Sequence, residues 1–557
     1  MIRKRRATRV AALVCVGLLA VAVAGCGGSS SSGGGSGGGG GSSPSGELRV
    51  GTLDQFQNPN PFNVFHVIDY DILMLEYPFL VQYDESGQVV PDLATSWTNS
   101  ANGSTWTFHL RPNAKWSDGQ PMTSADVAWT LNTIIKYKAG STALWSENVS
   151  DMTSATAPDP TTVVLHYSAP VAAVLSFMNN TPILPMHVWD KHTGGKEGSN
   201  LKSFKNSFPD VAGGPYIPEK WDGSTFLLMK ANPNYYGPKP HIENVGIEYF
   251  TTPDGLIQAL KTKAIDYANQ IPQSNASTVK SDGVVVNAYP AVNYLGFYIN
   301  AAPKAPHQEL LNPLVRRAID IGVDRQAIIN VAYPGSQAGE SIVPPAVPGW
   351  SDPSVQPTDD PAKANQLLDQ AGFKKGANGI RMADGHPMQY TVIVDHVQLG
   401  GAGDRVFQIL QTNLKSLGIG LTEKPLDPNA WLAADYGTNN TYDQLDMGLE
   451  TNAALLDPGF NLIYFTCADY GAYNWSGFCN KQYDAMYAKQ SATLDPAKRK
   501  PIVFQMQKMA QQLVPAVILL YTNSTDAHQP GWTGFGANPN GSLNYFSKLT
   551  FTSIHKG

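Results

Sequence analysis

Four cysteines, eleven histidines and a larger set of acidic side chains are the groups in this 557-residue chain that could do chemistry, and their spacing argues against most of it. There is no Gly-x-Ser-x-Gly elbow, no His-Glu-x-x-His pair, no phosphate-cradling glycine loop and no Gly-x-Gly-x-x-Gly. The histidines are dispersed, with no pair at i and i+4, and Asp-rich calcium loops are absent, so neither a metal site nor a cofactor is expected. Catalytic carboxylates have no fixed spacing in sequence, which keeps a secreted hydrolase as an alternative reading. Cys467 and Cys479 read as a disulfide closing a local loop in an oxidising compartment. A zinc site is the alternative, and with no histidine between them it would be short of ligands.

The other two cysteines lie in an N-terminal segment with its own logic. Arg3, Lys4, Arg5, Arg6 and Arg9 form a cationic region, followed by an apolar run from Val10 to Ala24 of about 15 residues, a secretory-signal length and short for a membrane span. It ends in Val23-Ala24-Gly25-Cys26, which resembles a bacterial lipobox. On that reading residues 1–25 are a signal peptide, Cys15 leaves with it, and Cys26 carries the lipid that anchors the chain to the outer face of the membrane. Ordinary secretory cleavage near Ala24 is the alternative. The Gly/Ser tract that follows cannot bury apolar surface, so residues 26–46 are expected to form a tether with an average reach on the order of 25 Å.

The remaining residues, roughly 510, exceed a single hydrophobic core and require at least two lobes. A net charge of −6, with 42% hydrophobic residues, fits a globular protein and gives no basic footprint for nucleic acid. Short β-branched or aromatic runs at 105–111, 161–167, 224–230, 388–395 and 515–521 predict strands. Asn312-Pro313, Asp360-Pro361 and Asp495-Pro496 each predict a helix start, an N-cap acceptor before a proline. Gly372 should end the second of these helices, and Pro501 should kink or restart the third. Strands and helices mixed without a regular βαβα rhythm make this an α/β protein of several lobes.

A series of motifs runs through the whole of residues 47–557. In order they are Asn58-Pro59-Asn60-Pro61-Phe62-Asn63, Val90-Pro91-Asp92-Leu93-Ala94, Lys115-Trp116-Ser117-Asp118-Gly119, Gly213-Gly214-Pro215-Tyr216, Asn232-Pro233-Asn234-Tyr235-Tyr236-Gly237, Tyr294-Leu295-Gly296-Phe297-Tyr298, Val315-Arg316-Arg317 and Asp324-Arg325. In number and order they closely resemble the family 5 extracellular solute-binding proteins, the dipeptide, oligopeptide and nickel-complex receptors of ABC importers. Most of these motifs also read as turns, caps and strand entries, so their expected role is to define the fold.

The resemblance implies a two-lobed, periplasmic-binding-protein-like clamp with an extra third domain, closing about crossing strands. Lobe I would comprise 47–77, 212–299 and 524–557, the inserted domain 78–211 and lobe II 300–523. It also implies a monomeric, non-enzymatic receptor that captures a peptide or peptide-like solute and delivers it to ABC permease subunits; a sensory receptor of the same fold is the alternative. In peptide-binding relatives an Asp in a Trp-x-Ala-Asp-Tyr segment holds the ligand's terminal amine. The matching place here runs from Gly448 through Leu449, Glu450 and Asn452 to Asp457, with Leu449 for the Trp and Asn452 near the Asp. Phe62, Asn63, His66, Tyr294, Trp431, Gly448, Glu450, Asn452 and Asp457 are the candidate ligand-contacting residues.

Overall fold

Of the five β-branched or aromatic runs, three become strands of one large mixed sheet and two become strands of a separate sheet. The computed structural model describes residues 46–64, 67–399, 401–424, 426, 430–431, 434, 445–452, 455–470, 473–536 and 546–557. Its large sheet is built from β1 (Glu47–Thr52), β2 (Tyr216–Trp221), β3 (Phe226–Ala231), β4 (Asn244–Tyr249), β5 (Tyr267–Ala268), β6 (Val285–Ile299), β7 (Gln337–Ala338), β8 (Gln389–Val394), β9 (Gly420–Glu423), β10 (Met447–Asn452) and β11 (Ala516–His528). Across the sheet the order is β9-β8-β10-β6-β11-β5-β1-β4-β3-β2, with β7 branching off β11.

Two strands run through both halves of this sheet. The first half of β6 pairs antiparallel with the end of β11, Val285 opposite His528 through Pro290 opposite Asn523. Its second half pairs with the start of β11, Tyr294 opposite Tyr521 through Tyr298 opposite Ala516. Register shifts between Pro290 and Tyr294, where a proline without an N–H is tolerated because pairing is already interrupted. Apolar cores lie on either side of the break. One gathers Leu48, Val50, Ile72, Leu227 and Ile247; another gathers Leu295, Phe297, Val392, Leu410 and Leu449.

A separate four-stranded antiparallel sheet, in the order Ala94–Asn99, Thr105–Leu110, Thr162–Tyr167, Met152–Asp159, carries its own core. Trp106, Phe108 and Leu110 alternate into that core and the helix Ser124–Tyr137 packs against this sheet. Thr123 and Asp126 close that helix's first turn as a reciprocal capping box. The three Pro-led helices start where expected. Asn312 accepts from Leu314 N, Asp360 from Lys363 N and Asp495 from Ala497 N. Gly372 follows the second helix at φ +91°. The third does not restart at Pro501: Pro496–Leu513 runs through it as one element.

The family-like motifs meet in a network around Asp92. Its carboxylate accepts from Phe79 N (3.0 Å) and Tyr236 Oη (2.6 Å), and forms an ion pair with Lys548 of the C-terminal helix Lys548–Ser553. Both charged side chains are 1% exposed. Burial pulls the Lys548 ammonium below its ordinary pKa, and Asp92 opposes that shift. Asn232 Nδ2 donates to the Gly214 carbonyl (2.9 Å), and a Cβ on Gly214 would lie 2.3 Å from the Leu75 carbonyl oxygen, so only glycine fits there.

Two consequences are testable. Asp92→Asn strands a buried ammonium and should cost about 3–5 kcal/mol in a denaturant titration; a loss below about 1 kcal/mol would contradict the role given to this pair. The second concerns Glu147, beside the four-stranded sheet, and Asp469 of the loop closed by Cys467 and Cys479. Burial, followed by the charge of Asp469, pushes the Glu147 carboxyl up to about 7; burial pushes Asp469 up to about 6. A carboxyl whose folded pKa is raised contributes its stability in full below its unfolded pKa and loses it as pH rises through the folded one. The contribution of Glu147 should therefore fade between about pH 4.5 and pH 7. Glu147→Gln should match the wild type in Tm near pH 5 and exceed it at pH 8; equal Tm values at both pH values would refute this.

Candidate ligand site

Strand β10 and the second half of β6 share their faces residue by residue. Tyr294 lies opposite Asn452, Gly296 opposite Glu450 and Tyr298 opposite Gly448, and Tyr521, Ile518 and Ala516 extend the same rows on β11. Alternation sends Leu295, Phe297, Ile299 and Leu449 to the other face, into an apolar core. Gly296 makes room for this arrangement, since a Cβ there would lie 2.7 Å from the Tyr298 ring and 3.3 Å from Asn452 Nδ2.

Polar groups on this face are buried. Tyr294 and Tyr298 bring their hydroxyls to 3.1 Å. Burial raises both phenols above their ordinary pKa and the charge of Glu450 adds to it, so both remain protonated and can donate. Asn452 is 2% exposed, and neither its Oδ1 nor its Nδ2 has a hydrogen-bond partner. An unsatisfied buried polar group costs about 1–3 kcal/mol. The Asn452 amide is therefore a donor and an acceptor held in place without a protein partner. Beside it, β8 pairs with β10 only from Met447 to Leu449. Past Leu449, the edge of β10 turned away from β6 has no strand beside it among the described residues.

An aromatic wall adjoins Tyr298. Trp475 lies 5.6 Å away between ring centroids, and Tyr464 lies 5.1 Å from Trp475. The Cys467–Cys479 disulfide closes the loop that carries Trp475, and Asn474 fixes it from inside by donating to the Thr466 and Phe478 carbonyls (2.8 and 2.7 Å). Trp431 is buried, and its indole N–H has no partner among the described residues.

Of the residues singled out in the sequence, Tyr294, Gly448, Glu450 and Asn452 are brought together. Others are not. Phe62 packs edge-on against Trp189 at 5.4 Å within the core beneath the four-stranded sheet, and the Asn63 amide donates to the Lys202 carbonyl at 2.6 Å. His66 lies outside the described residues. Asp457 is engaged within the protein: it caps the helix Pro458–Ile463 through Gly459 N, and both its oxygens accept from the Arg499 guanidinium at 2.7 Å. Tyr298 was missed, although it stands four residues from Tyr294 and so shares its face. Among the described residues, none of the side-chain groups near enough to share a metal ion includes a residue of this face.

Comparison with known proteins agrees with this architecture. A sequence profile described as bacterial extracellular solute-binding proteins, family 5 Middle, matches residues 88–472. The Probable D,D-dipeptide-binding periplasmic protein of Escherichia coli K12 is 25% identical over 508 residues, 89% of this chain and 92% of that one. Among solved structures, an ABC transporter substrate-binding protein of Listeria monocytogenes superposes with a TM-score of 0.77 at 21% identity, covering 92% of this chain and all of the other. The oligopeptide-binding protein of Bacillus subtilis, solved in complex with a nonapeptide, gives a TM-score of 0.75 at 19% identity, covering 92% and 99%.

Replacing the orphaned amide by an apolar group of similar shape removes a desolvation penalty. Asn452→Leu should raise the stability of the ligand-free protein by about 1–2 kcal/mol, read from the shift of its unfolding midpoint. A destabilised variant would mean that the amide has a partner in solution.

Proposed function

The chain belongs to the family 5 bacterial extracellular solute-binding proteins, and from that premise we propose that it captures a peptide or peptide-like solute outside the cytoplasm and delivers it to the permease of an ABC importer. The reading rests on Asn452, a buried amide with no protein partner at the end of β10, whose pairing with β8 stops at Leu449. An extended peptide would lie beside the end of β10. Asn452 would meet the end of that peptide, with Tyr294 and Glu450 beside it and Trp431 offering an indole face. A neutral amide forgoes the charge-assisted bond that a carboxylate makes to an ammonium, which is about twice as strong. The preferred solute is accordingly one whose terminus is polar without needing to be cationic.

In this proposal residues 47–77, 212–299 and 524–557 form the first lobe, 78–211 the inserted domain and 300–523 the second lobe. β6 and β11 are the hinge, because they alone run through both halves of the sheet and their register changes between Pro290 and Tyr294. Cys26 would carry the lipid and residues 26–46 the tether that lets the folded part meet its permease. No helix among the described residues is long and apolar enough to cross a membrane. The protein binds and releases its solute unchanged.

Isothermal titration of the purified chain with short peptides, free and N-acetylated, tests the reading. Peptide binding is expected, with Asn452→Leu weakening it at least about tenfold, or roughly 1.4 kcal/mol. Asn452→Asp should favour free N-termini over acetylated ones. Failure to bind any peptide, or mass-spectrometric detection of a cleaved product, would refute it.

A further inference from the structure

A second cluster lies at the other end of β10. Asp446 immediately precedes that strand, about 20 Å from Asn452 along an extended chain. Around it the fold gathers His307, Glu309 of the 3-10 turn Gln308–Leu311, and His386 of the hairpin formed by Met382–Ala383 and His386–Pro387. One donor atom from each of His307, Glu309 and His386 lies within 4.8 Å of the other two. His307 Nδ1 is 3.3 Å from Glu309 Oε1, and His386 Nε2 is 3.7 Å from Glu309 Oε2. These two distances end on different oxygens of Glu309; donors about 2.0–2.2 Å from a tetrahedral zinc ion stand roughly 3.3–3.6 Å apart, so the three side chains must draw together to share an ion.

The surroundings of these atoms distinguish them from a chance meeting of charges. Glu309 is buried, its side chain 1% exposed, and its Oε2 has no hydrogen-bond partner; His307 Nδ1 is likewise buried without one. The remaining positions are occupied by groups that orient the donors. Tyr390 donates to Glu309 Oε1 at 2.8 Å. His386 Nδ1 lies 3.3 Å from the Pro387 carbonyl, an acceptor, which turns its Nε2 lone pair toward Glu309. His307 Nε2 faces Asp446 Oδ1 at 3.6 Å, and Asp446 is itself fixed by Thr391 N and Oγ1 at 2.8 and 2.7 Å. Each imidazole thus has an acceptor behind it and presents its other nitrogen to a carboxylate, the arrangement in which outer partners hold the ligands of a metal ion.

We propose that His307, Glu309 and His386 bind a borderline divalent cation, Zn²⁺ first among them, with Asp446 and Tyr390 as the outer partners that orient the ligands. Two imidazoles and one carboxylate suit zinc, nickel or copper, whereas calcium and magnesium require more oxygen donors. His386 is 41% exposed in its side chain, so water reaches the fourth position. The bound ion would tie the hairpin and the 3-10 turn to β8, which carries Tyr390 and Thr391.

The test uses the full chain after dialysis against a chelator, titrated with ZnCl₂ by calorimetry and followed by Tm. One equivalent should bind and raise Tm, and Co²⁺ should give the visible absorption of a low-symmetry site. His386→Gln, at a part-exposed position chosen to preserve folding, should weaken zinc binding at least tenfold. His396→Gln, in the separate group with Asp404 and Glu423, should leave the high-affinity equivalent intact. If the histidines merely carry protons opposite Glu309, zinc will leave Tm unchanged. That result, or binding lost in His396→Gln and kept in His386→Gln, overturns the proposal.

Discussion

The pairing of β6 with β11 is the constraint on which the rest depends. Fifteen residues of one strand and thirteen of the other hold together two halves of a sheet that share no other continuous element. Side chains alternate with a period of two, so the register on either side of Pro290 decides which face each residue occupies. Slipping β6 by one residue past β10 would drive Tyr294, Gly296 and Tyr298 toward the apolar core of Leu410 and Val392. Leu295, Phe297 and Ile299 would then stand among Glu450 and Asn452. The pairing with β11 is interrupted between Pro290 and Tyr294 and shifts again between Leu295 and Gly296, so the candidate site lies just beyond the first break and includes the second.

Buried charge is handled in two ways. Where the chain needs rigidity, each charge has its counterpart. Asp92 meets Lys548, Arg325 meets Asp320, Glu340 and Asp359, and Asp457 meets Arg499. These pairs gain position more than stability, because the desolvation of two ions offsets much of their attraction. On the face shared by Tyr294 and Asn452 the polar atoms are held in place by packing, and the amide of Asn452 is left unmatched. Natural cores satisfy nearly all such groups, so an unmatched one on a well-packed strand is a sign that its partner comes from elsewhere.

What the sequence made legible follows from the range over which each interaction acts. Helix starts at Asn312, Asp360 and Asp495 involve groups two or three residues apart, and each was readable. The motif Pro91-Asp92-Leu93 was visible as a word, but its meaning depends on Lys548, a partner 456 residues away. Asp457 illustrates the opposite case. Its place beside the family's amine-binding segment made it a candidate, whereas the helix start at Pro458 and the Arg499 fork claim both its oxygens. Phe62 was placed by motif position, and packing against Trp189 decided its role. Pro501 was read as a kink or a restart; the helix Pro496–Leu513 does not restart there, although the proline lies past its first turn.

The neutrality of Asn452 follows from the same reasoning about burial. Glu450 stands two residues away on the same face of β10, about 7 Å along the strand, and both residues are nearly inaccessible to water. A carboxylate at position 452 would set two like charges in a medium that screens them poorly, raising the pKa of one or both until a cation arrived. An amide avoids that conflict in the empty protein, at the cost of one unsatisfied group. The exchange fits a receptor that must remain folded while waiting for its ligand. In the proposed receptor it would also remove the electrostatic demand for a positively charged partner, so that hydrogen-bonding geometry at the strand's end, more than charge, would select the solute.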